Sequence, residues 1–327
     1  MDVTELFNHF KKSKIAVIGD VMIDAYLEGN VNRVSPEAPV PIVNVLAREE
    51  RLGGAANVAL NLLSLGSNVA ICSVVGKDDA GKKILELMDN HQMSLDGMVQ
   101  SEDRMTTVKT RVIGNNQHLL RVDQEITDAI TKKEELALIQ RVEKIIAQGC
   151  DAIIFEDYNK GVLTENVITS IIKLANKAGV ITTVDPKRNN FLTYKNVTLF
   201  KPNLKELKEG VKRDFDIQNK ADFEAAAGLL EKEINPENIF VTLSEHGVFI
   251  KNKTEKHYIP AHIRSIADVS GAGDTVISVA TLCMVAEIGI KATAEIANLA
   301  GGLVCEKVGV VAINAQQLKE EVAKIGL

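Results

Sequence analysis

Six apolar runs of strand length alternate along the chain with segments of helical periodicity, and this alternation strongly constrains the fold. Runs that are apolar throughout are typical of strands that are covered on both faces. The order therefore predicts an α/β fold in which helices cover both faces of a mostly parallel central sheet. The strand runs are residues 15–18, 69–75, 152–155, 180–184, 197–200 and 238–243, and helical periodicity is clear at residues 55–65, 82–88, 134–146, 167–178 and 223–230.

Two stretches interrupt this alternation. Residues 24–46 contain Pro36, Pro39 and Pro41 and show no helical period. Residues 105–123 have the pattern of a hairpin, in which the strands TTVKTRVI and HLLRVD flank a turn. We expect the two stretches, with bounds of about 24–48 and 104–124, to form a small β-sheet that covers one edge of the core as a lid. Such a lid would suit an enzyme that must exclude water.

The composition favours one ordinary globular domain, which we expect to span residues 1–327, with 46% hydrophobic and 25% charged residues. The net charge of −6 and the lack of a long Lys/Arg run make nucleic acid and anionic membranes poor partners. The sequence has no run of 18 uncharged apolar residues, and its four cysteines form no CxxC pair. We therefore expect a cytoplasmic protein that acts on small molecules.

The segment DVSGAGDT, at residues 268–275, carries the clearest chemical signal. Its two glycines, Gly271 and Gly273, allow a ligand to approach the backbone, and the helix pattern that follows directs free N–H groups towards an anion. These features predict a cradle for a phosphate or for a phosphoryl group in transfer. The carboxylate of Asp274 could accept a proton from a hydroxyl beside that cradle. The alternative is that Asp274 only caps the helix.

Two further segments place polar groups at helix starts. In RLGGAANVA, Gly53 and Gly54 precede a helix with Asn57 one turn in, so a ligand could lie against the helix start. Close helix packing would explain the glycines equally well. In KPNLKE, Asn203 and Glu206 fall on one helix face and could hold a hydrated Mg²⁺ through its waters. The alternative for this pair is a capping box.

Missing motifs narrow the chemistry. The sequence contains no GxxxxGK[ST], no GxGxxG after the first strand, no GxSxG and no HExxH. These absences disfavour Walker-type NTPases, dinucleotide dehydrogenases, serine hydrolases and zincins.

Taken together, the segments resemble the ribokinase-like sugar kinases, also called the phosphofructokinase B type. The likeness covers about residues 14–310. It rests on GGAANVALNLLSLGSNVAICSVVG at residues 53–76 and DVSGAGDTVISVA at residues 268–280, with an NxxE element between them. The resemblance implies a Rossmann-like core with a β lid. It also implies transfer of a phosphoryl group from ATP, with Mg²⁺, to a sugar hydroxyl. Whether a monovalent cation also binds is left open.

The resemblance assigns a role to each candidate site residue. Asp274 would be the catalytic base, and the amides of Gly271, Ala272 and Gly273 would form the anion hole. On the sugar side, Asp24 and Asn57 would hold substrate hydroxyls against Gly53 and Gly54. On the nucleotide side the matching residues are Asn203, Glu206, Thr242, Gly247 and Asn298, with Glu206 close to Mg²⁺ through water.

Within this family the chain is similar to the kinases of heptose 7-phosphate that act in ADP-heptose synthesis, an early part of lipopolysaccharide core formation. The segments that carry the likeness are GDVMIDAY, RVSPEAPVPIV, HLLRVD, EDYNKG and VDPK, which begin at residues 19, 33, 118, 156 and 184. They imply phosphorylation of the C1 hydroxyl to give the 1,7-bisphosphate. The sequence has no HxGH motif of a fused nucleotidyltransferase, so we expect the kinase alone. The alternatives are a kinase of fructose phosphate, ribose or a nucleoside, and a catalytically silent sugar-binding regulator.

Basic residues of the predicted lid suit a phosphorylated substrate. Lys109 and Arg111 share a strand face, Arg33 and Arg121 lie on neighbouring segments, and Lys187 is a further candidate donor. A doubly charged phosphate would accept bonds from several such donors, whereas the alternative is a solvated basic face on an edge strand. The expected partners are ATP and a small sugar phosphate, not nucleic acid or a membrane, and a homodimer through the lid is left open.

Overall fold

The computed structural model describes residues 1–262 and 266–326. The strands are β1 (Lys14–Gly19), β2 (Val21–Val34), β3 (Pro41–Gly54), β4 (Asn68–Gly76), β5 (Ser94–Ser101), β6 (Val108–Gly114), β7 (Gln117–Gln124), β8 (Ala152–Glu156), β9 (Ile181–Asp185), β10 (Leu199–Phe200), β11 (Asn238–Thr242), β12 (Val248–Lys251) and β13 (Lys256–Ile259). The helices are α1 (Val3–Lys12), α2 (Ala55–Ser64), α3 (Asp79–Asn90), α4 (Lys132–Ala147), α5 (Glu165–Ala178), α6 (Leu204–Gly210), α7 (Lys220–Ile234), α8 (Ala272–Val285), α9 (Ile290–Val304) and α10 (Ala315–Ile325).

The central sheet has the strand order β13-β12-β11-β10-β9-β8-β1-β4-β5. The strands from β11 to β5 run parallel, and β12 and β13 add an antiparallel edge. The predicted α/β fold with a mostly parallel sheet is confirmed. In the described part of the chain, no helix combines the length and the apolar character that a membrane span requires.

Strand β1 shows why the sheet is covered on both faces. Its side chains alternate between two hydrophobic clusters, because successive residues of a strand point to opposite faces. Ile15 and Val17 join the cluster that holds residues of α1, α2, α8 and α9, whereas Ala16 and Ile18 join the one that holds residues of α4, α5 and α7. Both faces of the strand are therefore in the core, and no polar side of the strand is needed.

A second, four-stranded sheet has the order β3-β2-β6-β7. Strands β6 and β7 form the predicted hairpin, and β2 pairs antiparallel with β3 and parallel with β6. Strands β2 and β3 lie between β1 and α2 in the chain, and β6 and β7 join the small sheet later, after β5. The small sheet is therefore tied to the core at the carboxyl end of β1. Its role as a lid, and the assignment of the chain to one domain, remain predictions.

The carboxyl ends of the parallel strands and the starts of three helices point to the same side of the central sheet. In an open α/β sheet, ligands bind in the crevice outside these strand ends. Strands β8, β9 and β11 end there at Glu156, Asp185 and Thr242, and the starts of α2, α6 and α8 supply the other candidate residues.

Candidate active site

Asp274 lies at the third position of α8 and faces into a buried polar site. The N-cap of the helix is Gly271, whose φ of 79° lies in the left-handed region that glycine adopts most readily. The carboxylate of Asp274 accepts hydrogen bonds from Nδ2 of Asn57 at 2.6 Å and from the hydroxyl of Tyr158 at 3.0 Å. The side chain of Asp274 therefore forms its hydrogen bonds within the site and does not cap its own helix.

The surroundings of Asp274 raise its pKa towards neutral pH. Burial raises the pKa of Asp274 to about 6, against an ordinary value of 3.8, and the negative charge of Asp185 acts in the same direction. The hydrogen bond from Asn57 opposes this rise because it stabilises the ionised form. A carboxylate with this pKa is well matched to accept a proton at neutral pH.

Three buried carboxylates converge beside the start of α8. Glu156 and Asp185 are register partners at the ends of β8 and β9, and their oxygens lie within 4.8 Å of each other and of those of Asp274. Both carboxylate oxygens of Glu156 lack a hydrogen-bond partner among the described residues. Burial, together with the charges of Asp185 and Asp274, raises the pKa of Glu156 well above its ordinary value. This shift favours the neutral form of Glu156, so the negative charge of the cluster lies on Asp185 and on the ionised form of Asp274.

Two lysines compensate part of that charge. The ammonium of Lys201 lies 2.7 Å from Oδ2 of Asp185, and that of Lys187 lies 3.6 Å from Oδ1. Burial alone would raise the pKa of Asp185, but the two ammonium groups hold it below its ordinary value. Lys187 also donates to Glu206 at 2.8 Å, and it lies over the ring of Tyr158.

A cavity of about 690 Å³ opens in front of this cluster. It brings together five of the predicted residues, from four separate parts of the fold, and a volume of this size suits a small-molecule ligand. Those five are Lys187, Asn203, Thr242, Gly273 and Asp274, and the other lining residues are Tyr158, Asp185, Lys201, Leu204, Lys205, Lys208, Ser244 and Val269.

The NxxE pair forms a capping box at the start of α6. The backbone N–H of Glu206 donates to Oδ1 of Asn203 at 2.8 Å, and the N–H of Asn203 donates to Oε2 of Glu206 at the same distance. The geometry of the capping alternative is therefore present. A carboxylate can accept about four hydrogen bonds, so this box and the bond from Lys187 leave acceptor capacity on Glu206.

Gly247 and Asn298 lie together, outside the set of described residues that line the cavity. Nδ2 of Asn298 donates to the carbonyl of Pro260 at 2.9 Å. A Cβ atom on Gly247 would approach the carbonyl carbon of Pro260 to 2.6 Å. Both predicted residues thus contact the segment that follows β13.

The small sheet places a polar group of side chains beside the start of α2. Asp24 is 5% exposed and forms an ion pair with Arg111, and a Cβ on Gly53 would lie only 2.2 Å from Oδ2 of Asp24. The guanidinium groups of Arg51 and Arg111 lie 4.9 and 5.4 Å from the centre of the Tyr26 ring. Asp24, Gly53, Asn57 and Arg111 are thus brought to one side of the cleft, with Gly54 as the N-cap of α2.

The remaining predicted phosphate donors lie elsewhere. Lys109 shares the strand face of Arg111, but its ammonium is held by Asp123 at 2.9 Å and Glu125 at 2.8 Å. Arg33 is exposed near the far end of β2, and Lys187 lies in the cavity near Glu206. The structure does not gather these residues around a single point.

Several site residues were not among the predicted ones. They are Glu156, Tyr158, Asp185 and Lys201 in the core, and Tyr26 and Arg51 on the small sheet. The signal that could have found the core residues is their position, since each lies at or just after the carboxyl end of a parallel strand.

A family model described as pfkB family carbohydrate kinase matches residues 12–317. The chain belongs to this family, and it is an ATP-dependent sugar kinase. The chain is similar to proteins named "Bifunctional protein HldE". It is 38% identical to the one from Desulfatibacillum aliphaticivorans, over 95% of this chain and 63% of that protein. It is 36% identical to the one from Syntrophotalea carbinolica, over 99% and 66%. The chain thus spans less than two thirds of the length of these relatives.

Solved structures share the fold at low sequence identity. Phosphofructokinase-2 from Escherichia coli, in complex with potassium, has a TM-score of 0.79 at 18% identity, with 97% of this chain and 100% of that chain covered. Ribokinase from Arabidopsis thaliana, complexed with ribose and ATP, has a TM-score of 0.73 at 15% identity, with 96% and 99% covered. These similarities confirm the ribokinase-like fold.

Proposed function

We propose that the chain transfers the γ-phosphoryl group of ATP to the C1 hydroxyl of a heptose 7-phosphate and so yields the 1,7-bisphosphate. The relatives named HldE, at 36–39% identity, support a heptose phosphate as substrate. The family supports the sugar kinase reaction. Other sugar, sugar-phosphate and nucleoside kinases of the family are the competing functions.

The observation that carries the mechanism is the placement of Asp274. A buried carboxylate held by Asn57 and Tyr158 stands at the start of α8, where the first N–H groups of a helix have no partner within the helix. Asp274 takes the proton of the attacking hydroxyl, and the amides of Gly271, Ala272 and Gly273 stabilise charge on the transferring group. Closure of the small sheet as a lid would exclude water from this site.

The nucleotide is assigned to the cavity in front of α6 and α8, where Asn203 and Thr242 lie. Gly247 and Asn298 would contact its base through the segment after β13. The donor set fits Mg²⁺, because Asp185 and Glu206 offer the hard carboxylate oxygens that this ion prefers. Glu206 would hold it through water, since its own oxygens already accept bonds from Asn203 and Lys187. When bound, Mg²⁺ neutralises phosphate charge.

The sugar is assigned to the cleft between the small sheet and α2. Asp24 and Asn57 would hold its hydroxyl groups against Gly53 and Gly54. Arg111, with Arg51 beside it, is the most favourable donor for the 7-phosphate, because a guanidinium can form two parallel bonds to a phosphate. Lys109, Arg33 and Lys187 are weaker candidates, given where the structure places them.

The outer face of the small sheet supports a homodimer as the assembly. Leu120 and Val122 alternate along β7 with Arg121, the register partner of Arg111, so they lie on the face opposite to that arginine. They are 53% and 52% exposed. A second copy of the chain would cover them. Light scattering of the wild type and of Leu120→Glu tests this, because a dimer should become a monomer in the variant.

The experiment that tests the function is mass detection of a bisphosphate after incubation with ATP, Mg²⁺ and heptose 7-phosphate. The same assay with fructose 6-phosphate, fructose 1-phosphate, ribose and a nucleoside identifies a competing kinase function. A higher kcat/KM for any of these would overturn the heptose assignment. Absence of sugar-dependent ATP turnover with every acceptor would favour the silent regulator.

A further inference from the structure

Asp20 is a buried carboxylate that the proposed mechanism does not use. It lies between β1 and β2, at the carboxyl end of β1, and is 1% exposed. Its Oδ2 accepts hydrogen bonds from the backbone N–H groups of Tyr158 at 2.9 Å and Lys160 at 3.0 Å, and its Oδ1 accepts one from that of Val162 at 3.1 Å. All three partners are donors, so the side chain acts purely as an acceptor that holds the backbone of residues 158–162.

The loop of residues 158–162 has a backbone conformation that benefits from such a partner. Asn159 and Gly161 have φ angles of 55° and 87°, in a region that is uncommon for residues other than glycine. A Cβ atom on Gly161 would lie 2.0 Å from the carbonyl oxygen of Asp128, so the loop is packed closely against the chain that precedes α4. We therefore expect the loop to change its conformation when the bonds to Asp20 are lost.

Two charged groups of opposite sign lie near Asp20. Burial raises the pKa of Asp20, the charge of Asp157 acts in the same direction, and the three backbone N–H groups oppose the rise. Arg104 donates to the carbonyl oxygens of Asp128 and Lys160. Burial lowers the pKa of Arg104, and the charge of Asp20 opposes that change. The loop is thus held by its N–H groups on a carboxylate and by a carbonyl on a guanidinium.

The same loop carries the hydroxyl that contacts the proposed base. Tyr158 is its first residue, and the hydroxyl of Tyr158 donates to Oδ1 of Asp274 at 3.0 Å. The backbone N–H of Tyr158 is one of the three groups bound by Asp20, so this carboxylate fixes the main chain from which the ring extends. The backbone carbonyl of Asp20 also accepts a bond from the N–H of Ala55, at the start of α2. That bond does not involve the side chain, so a side-chain substitution at Asp20 tests the loop alone.

We propose that Asp20 is a positioning residue, which acts on the reaction through Tyr158 and the hydrogen bond from that hydroxyl to Asp274. This inference rests on the proposed function, in which Asp274 is the base. The carboxylate of Asp20 holds the loop, and the loop holds the ring of Tyr158. The hydroxyl then stabilises the ionised form of Asp274, which accepts the proton of the sugar hydroxyl. Asp20 itself exchanges no proton in the reaction.

The test uses Asp20→Asn, which places an amide donor where a carboxylate oxygen now accepts backbone N–H groups. We expect kcat to fall by up to about 10²-fold, the loss that a misplaced catalytic group can cause. The acid-side midpoint of kcat/KM, at about pH 6 in the wild type, should move to higher pH. Asp78→Asn is the matched control, because Asp78 also accepts backbone N–H bonds from two segments, at Gly81 and Thr106, and neither belongs to the loop. It should leave kcat and the midpoint unchanged.

A double variant separates positioning from a general loss of stability. If Asp20 acts through Tyr158, Asp20→Asn/Tyr158→Phe should have the kcat and the midpoint of Tyr158→Phe alone, because the hydroxyl is already lost. If the two losses in kcat multiply, Asp20 acts independently of Tyr158 and the proposal fails. It also fails if Asp20→Asn lowers the melting temperature but keeps the midpoint of the wild type, since Asp20 then only stabilises the fold.

Gly161→Ala keeps the proposal testable if Asp20→Asn does not fold. This variant retains the carboxylate of Asp20 but strains the loop, because the φ of Gly161 and its contact with Asp128 do not suit a side chain. The midpoint should move in the same direction as in Tyr158→Phe, and an unchanged midpoint would overturn the proposal. Asp274→Asn separates the two levels. Full activity there would refute the proposed function, whereas an inactive Asp274→Asn beside a Tyr158→Phe with the wild-type midpoint would refute only the role of Asp20.

Discussion

Nδ2 of Asn57 donates a hydrogen bond of 2.6 Å to Oδ2 of Asp274, although the two residues are 217 positions apart in sequence. The bond joins the first turn of α2 to the first turn of α8, so the two glycine-rich motifs of the chain meet at one carboxylate. Because Asn57 is 1% exposed, the bond is shielded from water. It fixes the orientation of the proposed base and stabilises its ionised form.

Replacing Asp274 with asparagine should remove the base and keep the shape of the site. We expect turnover to fall by about 10²-fold or more, as is typical when a general base is lost, while ATP binding changes little. Asp96→Asn, on an exposed strand position, is the control for the substitution itself. Turnover near that of the wild type would show that Asp274 is not the base.

The same substitution should also change stability, and with a defined dependence on pH. The pKa of Asp274 is raised to about 6 in the folded protein, so the folded state favours the neutral form, and that stabilisation is lost as pH rises from about 4 through 6. The difference from the ordinary 3.8 corresponds to about 3 kcal/mol. Asp274→Asn should therefore unfold at a higher temperature than the wild type at pH 8, and the advantage should shrink at pH 4. A constant difference across this range would contradict the raised pKa.

The pH profile of activity should report the hydrogen bond from Asn57. In the wild type, kcat/KM should fall as pH drops below about 6, because Asp274 then takes up a proton. Asn57→Ala removes a donor that stabilises the carboxylate, so the midpoint of the fall should move to higher pH. Tyr158→Phe should move it in the same direction, since the hydroxyl also donates to Asp274. If the midpoint is the same in both variants as in the wild type, a group other than Asp274 causes the fall in kcat/KM.

The fold could be predicted from the sequence because the patterns that indicate its strands and its hairpin are local. Apolar runs mark β1, β4, β8, β9 and β11, and the hairpin of β6 and β7 follows from its turn residues. Helices α1 and α10 were not predicted, and residues 197–200 yield a strand of only two residues, Leu199 and Phe200. Short elements at the ends of a chain and at connections depend on tertiary packing more than on periodicity.

The candidate site was predicted less completely. Asp274, Asn57 and Asn203 lie in motifs whose glycines and helix starts can be recognised one segment at a time. Glu156 and Lys201, in contrast, matter because separate strands of the sheet end beside each other. That adjacency is set by strand order, which the sequence pattern does not specify. For the same reason, the ion pair that holds Lys109 could not be anticipated from the face on which it lies.

Glu206→Gln tests the metal role against the capping role. Glutamine can still accept the bond from the N–H of Asn203, so α6 should keep its start while one carboxylate charge near the nucleotide is lost. We expect the Mg²⁺ concentration for half-maximal activity to rise by about tenfold, as outer-shell substitutions at metal sites do. Glu134→Gln is a matched control, because Glu134 forms the same kind of capping box with Thr131 at α4. If both variants require the same Mg²⁺ as the wild type, Glu206 only caps its helix.

The last prediction concerns Arg111, whose guanidinium reaches both Asp24 and the ring of Tyr26 beside the start of α2. This position suits a phosphate donor, because Arg111 lies on the polar face of β6, close to residues of the proposed sugar site. Arg111→Ala should raise KM for the phosphorylated sugar by about tenfold or more, since hydrogen bonds to charged groups contribute about 1.5–3 kcal/mol. KM for ATP should stay nearly unchanged, because the nucleotide loses no contact.

Arg121→Ala provides the control for Arg111. Arg121 is the register partner of Arg111 on β7, but its side chain is 54% exposed and bonds to Asp123. Its removal should leave both KM values close to those of the wild type. Higher salt should weaken sugar binding more in the wild type than in Arg111→Ala, because screening acts on a charge that the variant lacks. If the sugar KM of Arg111→Ala equals that of Arg121→Ala, Arg111 serves only to neutralise Asp24, and Arg51 becomes the remaining cation at the Tyr26 ring that could hold the phosphate.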